Sequence, residues 1–294
     1  MSSVFFVTGS SRGLGRRIVE QALAAGHRVV ATARNPHTLD DLAARYGDRV
    51  RVERLDVTDP AVAQAAVANG AAAFGRLDVV VNNAGHGDRV ALEDTTLEAF
   101  GRQIETNFLG TVYVTKAAVP MLRKQGGGRI IQISSLGGRI GSPGMTAYQS
   151  AKWAVGGFSE ALAAEVAPLG IKVTVVEPGG MRTDWAGSSM TTPPISEPYQ
   201  ATVGASARAM HGFEHVANSD PEKVARLVLT IADLDEPPLR VLAGSDAYAY
   251  GREAWRTRLE TDAKWEHLSR STDHDDAGDA WQQQRGRSLP HVRA

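Results

Sequence analysis

The chain has 294 residues, 43% of them hydrophobic, and its 32 lysines and arginines nearly balance 33 aspartates and glutamates, for a formal net charge of −1. That apolar content is ample for a packed core, and a charge so close to zero gives no electrostatic reason to expect nucleic acid or an anionic membrane surface as partner. With no cysteine, disulfides and thiolate metal sites are excluded and no metal centre is expected. The first strand begins too early for a leader peptide and no apolar run approaches a membrane span, so the expectation is a cytoplasmic globular protein.

Val4-Phe5-Phe6-Val7 reads as a buried strand, Thr8-Gly9-Ser10-Ser11-Arg12-Gly13-Leu14-Gly15 as a glycine-rich turn, and residues 16–23 as a helix. In such a turn Gly9 permits the sharp reversal, Gly13 lets a phosphate approach backbone N–H groups, and Gly15 lets helix and strand pack closely. The helix N-terminus then faces a cofactor pyrophosphate. A second strand, Arg28–Arg34, ends without an acidic residue to bond a ribose 2′-OH. An arginine there accommodates the 2′-phosphate of NADP, and Arg12 is placed to reach the same group, so NADP(H) is the expected cofactor.

Helical and extended segments then alternate. Residues 36–46 look helical, 50–55 extended, 60–74 helical and 77–81 extended. A long helix is expected over Leu97–Lys124, interrupted by Pro120 and stopped by Gly126-Gly127-Gly128. Strands follow at 129–134 and 171–177, flanking a helix from about Thr146 to Pro168. This rhythm predicts a doubly wound Rossmann-type α/β fold, a parallel sheet of about seven strands with helices on both faces. Pro178 to Asn218 reads as a long lid-like loop. Asp220-Pro221 caps a helix carrying Val224, Leu227, Val228 and Ile231, and Arg240–Ala243 is a last strand. The domain expected is residues 1–247. Residues 248–294 are expected to hold a charged helix over Tyr248–Leu268 and then a polar tail, disordered or an oligomer arm, in which Trp281 hints at a docking contact.

Chemistry concentrates in Ala-Tyr148-Gln-Ser-Ala-Lys152, with Ser134 and Ser135 just upstream. Side chains at i and i+4 share a helix face. A phenol beside an ammonium finds its anion favoured, so Tyr148 is expected to have a lowered pKa suited to acid–base work. Taken alone, the pair could equally be a solvated helix face.

With its Thr8-Gly-x-x-x-Gly-x-Gly15 turn, Asn82-Asn83-Ala84-Gly85, Ser135 and Tyr148-x-x-x-Lys152, the sequence resembles the short-chain dehydrogenase/reductase family in its single-domain form. Ser135 and Tyr148 stand 148 − 135 = 13 apart, as in that family. Asn107-Phe-Leu-Gly110 and Arg240–Asp246 look like its 17β-hydroxysteroid-dehydrogenase-like branch. The resemblance implies hydride transfer between a nicotinamide and a carbonyl or secondary alcohol. Tyr148 would be general acid, Ser135 would bond the same oxygen, Lys152 would hold the nicotinamide ribose, and Asn107 would kink a long helix and hold a water beside the lysine. Carried over by position, cofactor contacts are Gly9, Ser11, Arg12, Gly13, Leu14, Gly15, Arg34, Asp56, Val57, Asn82, Ala84, Gly85, Tyr148, Lys152, Pro178, Gly179 and Thr183. Asp56 could equally cap the following helix.

Ala151 and Gln149 depart from the family pattern, which bears on the pocket wall rather than the reaction. The substrate is expected to meet His86, Gly137, Met145, Gly180 and Trp185, within a lid whose apolar residues suit a medium-sized ring compound or acyl chain. His86 could bind a polar substrate group or simply be a solvated loop residue. Self-association as a homodimer or homotetramer through the two long helices is also implied. The alternative from another class is a catalytically silent NADP-binding sensor, which would have no need to keep Asn107, Ser135, Tyr148 and Lys152 together.

Overall fold

The computed structural model describes residues 2–182, 190–210 and 217–278. Its backbone contacts divide it into two units, Met1–Gly251 and Arg252–Ala294, a boundary a few residues beyond the one expected.

Seven parallel strands form the sheet of the first unit: β1 (Val4–Val7), β2 (Arg28–Ala33), β3 (Val50–Arg54), β4 (Val79–Asn82), β5 (Gly128–Ile133), β6 (Ile171–Pro178) and β7 (Arg240–Ala243). Their spatial order is β3-β2-β1-β4-β5-β6-β7. Because successive side chains of a strand point to opposite faces, β1 feeds two cores. Phe5 and Val7 pack with Ile18, Val19, Leu23, Val224 and Val228 on one side. Val4 and Phe6 pack with Val67, Val114, Leu122 and Leu162 on the other. All four strand residues are buried, as expected where helices cover both faces. The first face is covered by α1 (Gly13–Ala24), α2 (Asp40–Tyr46) and α8 (Pro221–Asp233), the second by α3 (Pro60–Phe74), α5 (Gly110–Lys124) and α6 (Thr146–Val166). The strand order reverses between β1 and β4, which opens a crevice at their carboxyl ends.

Caps fall where turn chemistry put them: Asp59 accepts from the N–H groups of Ala61 and Val62 to start α3, and Asp220 accepts from Glu222 to start α8, each ahead of a proline. The expected long helix is divided differently. It runs as α4 (Leu97–Ile104), a π-turn at Glu105–Leu109, and α5, which continues through Pro120 to Lys124. Pro120 is exposed, so water can bond the carbonyl that its missing N–H leaves without a donor. The break sits instead at Asn107.

The expected lid loop carries structure of its own. Met190–Thr191 pairs in parallel with Gly87–Asp88, and a π-turn at Gln200–Gly204 leads into α7 (Ala205–Met210). From Ser245 the chain forms α9 (Ser245–Lys264) and then α10 (Glu266–Arg270), so the charged helix starts earlier than expected and breaks at Trp265. Within the second unit, Arg256 pairs with Glu260, Arg270 with Glu266, and Arg258 stacks on Trp255. Trp281 lies outside the described residues. No described helix is long and apolar enough to cross a membrane.

Candidate active site

The glycine turn leaves β1 at the reversal of strand order. Gly9 has φ +68° and Gly13 φ +56°, left-handed values that strain any other residue. Around Gly13 the space a Cβ would fill is open, whereas a Cβ on Gly15 would fall 2.3 Å from the Gly9 carbonyl oxygen and 2.4 Å from Asn83 Nδ2. One glycine therefore leaves room and the other removes bulk. Helix α1 begins here with Arg12 at its N-cap, where the side chain makes no capping bond. Its first-turn N–H groups form a donor-rich cradle, with open room at Gly13, that fits a pyrophosphate. Ser11 is half-buried in the turn, while Arg12 and Arg34 are exposed, Arg34 immediately past the end of β2. The Leu14 side chain is buried in the core, so any cofactor contact it makes is through its backbone.

Thr8 and Asn83 brace this turn against the end of β4. Thr8 Oγ1 accepts from the N–H groups of Asn83 at 2.9 Å and Ala84 at 3.0 Å, and Asn83 Nδ2 donates to the Thr8 carbonyl at 3.0 Å. The neighbouring Asn82 has a buried side chain that donates to Thr115 Oγ1 at 2.9 Å and Gln132 Oε1 at 2.8 Å, tying β4 to α5 and β5, while its Oδ1 has no hydrogen-bond partner among the described residues. Val57 is likewise turned inward, against Gly110. Asp56 does not cap α3, which Asp59 does. It accepts from the Thr58 N–H at 3.0 Å and hydroxyl at 2.8 Å. Partial burial raises its pKa, and those two bonds with the nearby Arg34 and Arg54 outweigh it, leaving the carboxyl below the usual range.

Gly85 lies between Asn107 and Lys152: a Cβ there would fall 2.5 Å from Asn107 Oδ1 and 3.7 Å from Lys152 Nζ. The buried Asn107 donates through Nδ2 to the carbonyls of His86 at 2.8 Å and Gln103 at 2.9 Å, and accepts from the His86 N–H at 3.1 Å. A π-turn displaces one helical carbonyl from its usual donor, and the Asn107 amide takes that of Gln103. His86 is half-buried rather than solvated, and burial pushes its imidazole below the ordinary value, with Asp88 acting the other way.

Tyr148 and Lys152 share a buried face of α6, and the Tyr148 hydroxyl is hydrogen-bonded to Ser135. Ser135 Oγ also accepts from the Gly137 N–H at 3.0 Å, closing the short turn Leu136–Gly138 against α6. A Cβ on the buried Gly137 would lie 3.4 Å from Tyr148 Cε1. Lys152 Nζ donates to the Ile133 carbonyl at 2.9 Å and stands 5.7 Å from the Tyr148 ring centre. The expected lowering of the phenol pKa is reversed. Burial pushes Tyr148 up to about 12 against the opposing Ser135 bond, and burial drives Lys152 down to about 8. Both shifts have one cause, since a dry environment penalises phenolate and ammonium alike.

Past β6, the end of Pro178 is buried and Gly179 donates its N–H to the Ala243 carbonyl at 3.0 Å. The Gly180 N–H donates to Asp246 Oδ2 at 2.8 Å, so its backbone is held from behind. Met145 is buried at the start of α6. Thr183 and Trp185 lie outside the described residues.

Several groups escaped the sequence reading. Glu177, fully buried on β6, accepts from Arg139 Nε at 2.7 Å and Arg240 Nε at 3.1 Å, while Arg240 Nη1 reaches Glu160 on α6 at 2.7 Å. This network ties the loop after Ser135 to β6, β7 and α6. Asp246 was missed too, and Arg89, the end of the expected substrate segment His86 to Arg89, was given no partner. Their partners lie 66 and 117 positions away in sequence, and no local pattern carries such pairings.

Residues 3–193 match the family described as short chain dehydrogenase. The chain is 53% identical over 270 residues to Oxidoreductase BOA17 of Botryotinia fuckeliana (strain B05.10), covering 92% of this chain and 98% of that one. A short-chain dehydrogenase from Streptomyces avermitilis superposes with a TM-score of 0.87 at 37% identity, covering 93% of this chain and all (100%) of the other. ElxO, solved with NADP bound, superposes with a TM-score of 0.70 at 27% identity, over 85% of this chain and 100% of its own. The chain therefore belongs to the short-chain dehydrogenase/reductase family and is an oxidoreductase of the Rossmann-fold type.

Proposed function

We propose that this enzyme is an NADP(H)-dependent reductase acting on a ketone, or in reverse on a secondary alcohol, of a medium-sized apolar or ring-containing molecule. The observation that carries this reading is the buried Ser135–Tyr148 bond with Lys152 on the same helix face. When bound, a nicotinamide supplies the hydride; the protein must supply the proton. A phenol held near 12 is fully protonated at neutral pH, so Tyr148 arrives ready to donate to the carbonyl oxygen. When a carbonyl is bound, the Ser135 hydroxyl gives up its bond to Tyr148 and donates instead to the same carbonyl oxygen. Lys152, with a pKa of about 8, is mostly cationic at pH 7 and favours the negative charge that grows on the oxygen. Asn107 acts from behind, setting the position of Gly85 and His86.

NADP(H) rather than NAD(H) is supported by Arg34, where an acidic residue would otherwise end β2, by Arg12 in the turn, and by the likeness to the NADP-bound ElxO. The substrate is assigned to residues 86–89, 137–145 and the lid, where Met145, Met181, Ile195, Tyr199 and Met210 offer apolar surface. Phe213 and Trp185 fall outside the described residues. Self-association through α4–α5 and α6 as a homodimer or homotetramer, in the cytoplasm, belongs to the same proposal, as does the 17β-hydroxysteroid-dehydrogenase-like branch. The test is to follow NADPH and NADH oxidation by purified protein over a panel of ketones. Turnover with a lower Michaelis constant for NADPH supports the reading. A clear preference for NADH overturns the cofactor assignment, and no turnover of any ketone favours the silent sensor.

A further inference from the structure

Arg89 is 5% exposed, yet it is a cation that cannot shed its proton to ease burial. Three segments meet on it. Its N–H donates to the Thr191 carbonyl at 2.8 Å, the next N–H, of Val90, donates to the Gly144 carbonyl at 2.9 Å, and Arg89 Nη1 donates to Ser206 Oγ on α7 at 2.6 Å. A Cβ on Gly144 would come within 3.1 Å of Arg89 Cγ, and Gly144 directly precedes Met145 and α6. These are the segments assigned above to the substrate, so the inference rests on that reading.

Charge is unbalanced at this point. By contrast, the part-buried guanidinium groups of Arg139 and Arg240 both pair with Glu177. Among the described residues no carboxylate pairs with Arg89, and burial alone acts on its pKa, lowering it. Among the described residues none of its nitrogens is a sealed, unpartnered atom, so the donors that Ser206 leaves unused are not wholly closed off from a ligand. Ser206 Oγ accepts from Arg89, and because a guanidinium has no acceptor, the Ser206 hydroxyl proton stays available for a different partner.

We infer that Arg89 is a specificity residue, and that the substrate carries a carboxylate, remote from its reacting carbonyl, which the planar guanidinium and the Ser206 hydroxyl receive. A carboxylate matches a forked pair of N–H donors, and a partly dry site strengthens such a charge-assisted contact.

The test is calorimetric titration of aryl keto acids, benzoylpropionate first, and of their methyl esters into the protein with saturating NADP. The acid should bind at least about tenfold more tightly than its ester, as expected for hydrogen bonds to a charged group. Arg89→Leu should erase that preference while leaving NADPH affinity unchanged. Arg89→Lys should keep part of it. Ser206→Ala, which cuts the tie to α7 and removes one donor to the carboxylate but leaves the charge, should keep part of it; a loss as complete as that of Arg89→Leu would mean that Arg89 merely fastens α7. Equal affinities for acid and ester in the parent protein, no measurable binding of any acid, or a preference that survives Arg89→Leu overturns the inference. Turnover of the same keto acids is read separately, so failure of the redox reading is distinguishable from failure of this one.

Discussion

Asn107 grips the backbone of His86 at both its polar groups, donating to the carbonyl at 2.8 Å and accepting the N–H at 3.1 Å. With the further bond to Gln103, one amide ties the π-turn between α4 and α5 to the segment beyond β4 that carries Gly85. Asn107→Leu would leave three polar groups without partners, each costing about 1–3 kcal/mol if water cannot replace the amide. Allowing for partial rehydration, the expected loss is about 2–4 kcal/mol by urea denaturation. A variant within about 0.5 kcal/mol of the parent would contradict this account of the turn.

The glycines of the turn make an ordered prediction. Gly15→Ala puts a methyl 2.3 Å from a backbone oxygen, which only backbone movement can relieve, at about 3 kcal/mol. Gly13→Ala meets open space and carries only the left-handed strain of φ +56°, about 1–2 kcal/mol. Melting of the two variants should therefore show Gly15→Ala as the less stable. The reverse order would mean that the close packing of α1 on β1 is not what the third glycine serves.

The two shifted pKa values predict a peak in alkaline stability. Lys152 titrates near 8 in the folded chain against an ordinary 10.5, so between those values the unfolded chain binds more protons and stability rises with pH. That contribution is complete above 10.5 and lost as pH falls through 8. Tyr148 titrates near 12 against an ordinary 10, so from 10 upward the folded chain keeps a proton that the unfolded chain has lost, and stability falls with pH. Urea midpoints of the cofactor-free protein should climb from about pH 8 to 10 beside those of Lys152→Met and decline above it. A Lys152→Met curve parallel to the parent across that range would refute the buried-ammonium assignment.

Sequence alone made the frame legible because its signals are local. The apolar run before Gly9 is a strand with two buried faces, the positive φ at Gly9 and Gly13 demands glycine, and the four-residue step from Tyr148 to Lys152 is one helix turn. What stayed hidden depends on distant packing. The direction of the Tyr148 shift is decided by burial, which outweighs the opposing hydrogen bond from Ser135. Asn82 stands at a strand's carboxyl end, as a ligand-binding residue would, and only packing shows that Thr115 and Gln132 take both hydrogens of its Nδ2. Thr8 and Asn83 sit inside the recognised motifs, yet their bracing of the turn emerges only when β1 and β4 lie side by side.

The central claim is that the hydroxyl at position 148 delivers the proton in carbonyl reduction. It is tested most directly by single-turnover and steady-state NADPH oxidation in Tyr148→Phe, on whichever ketone the parent protein reduces fastest. Loss of a positioned general acid predicts a fall in kcat of about 10²–10⁴-fold, with the dissociation constant for NADPH within about threefold of the parent value. A Tyr148→Phe enzyme keeping more than about a tenth of the parent kcat would contradict it.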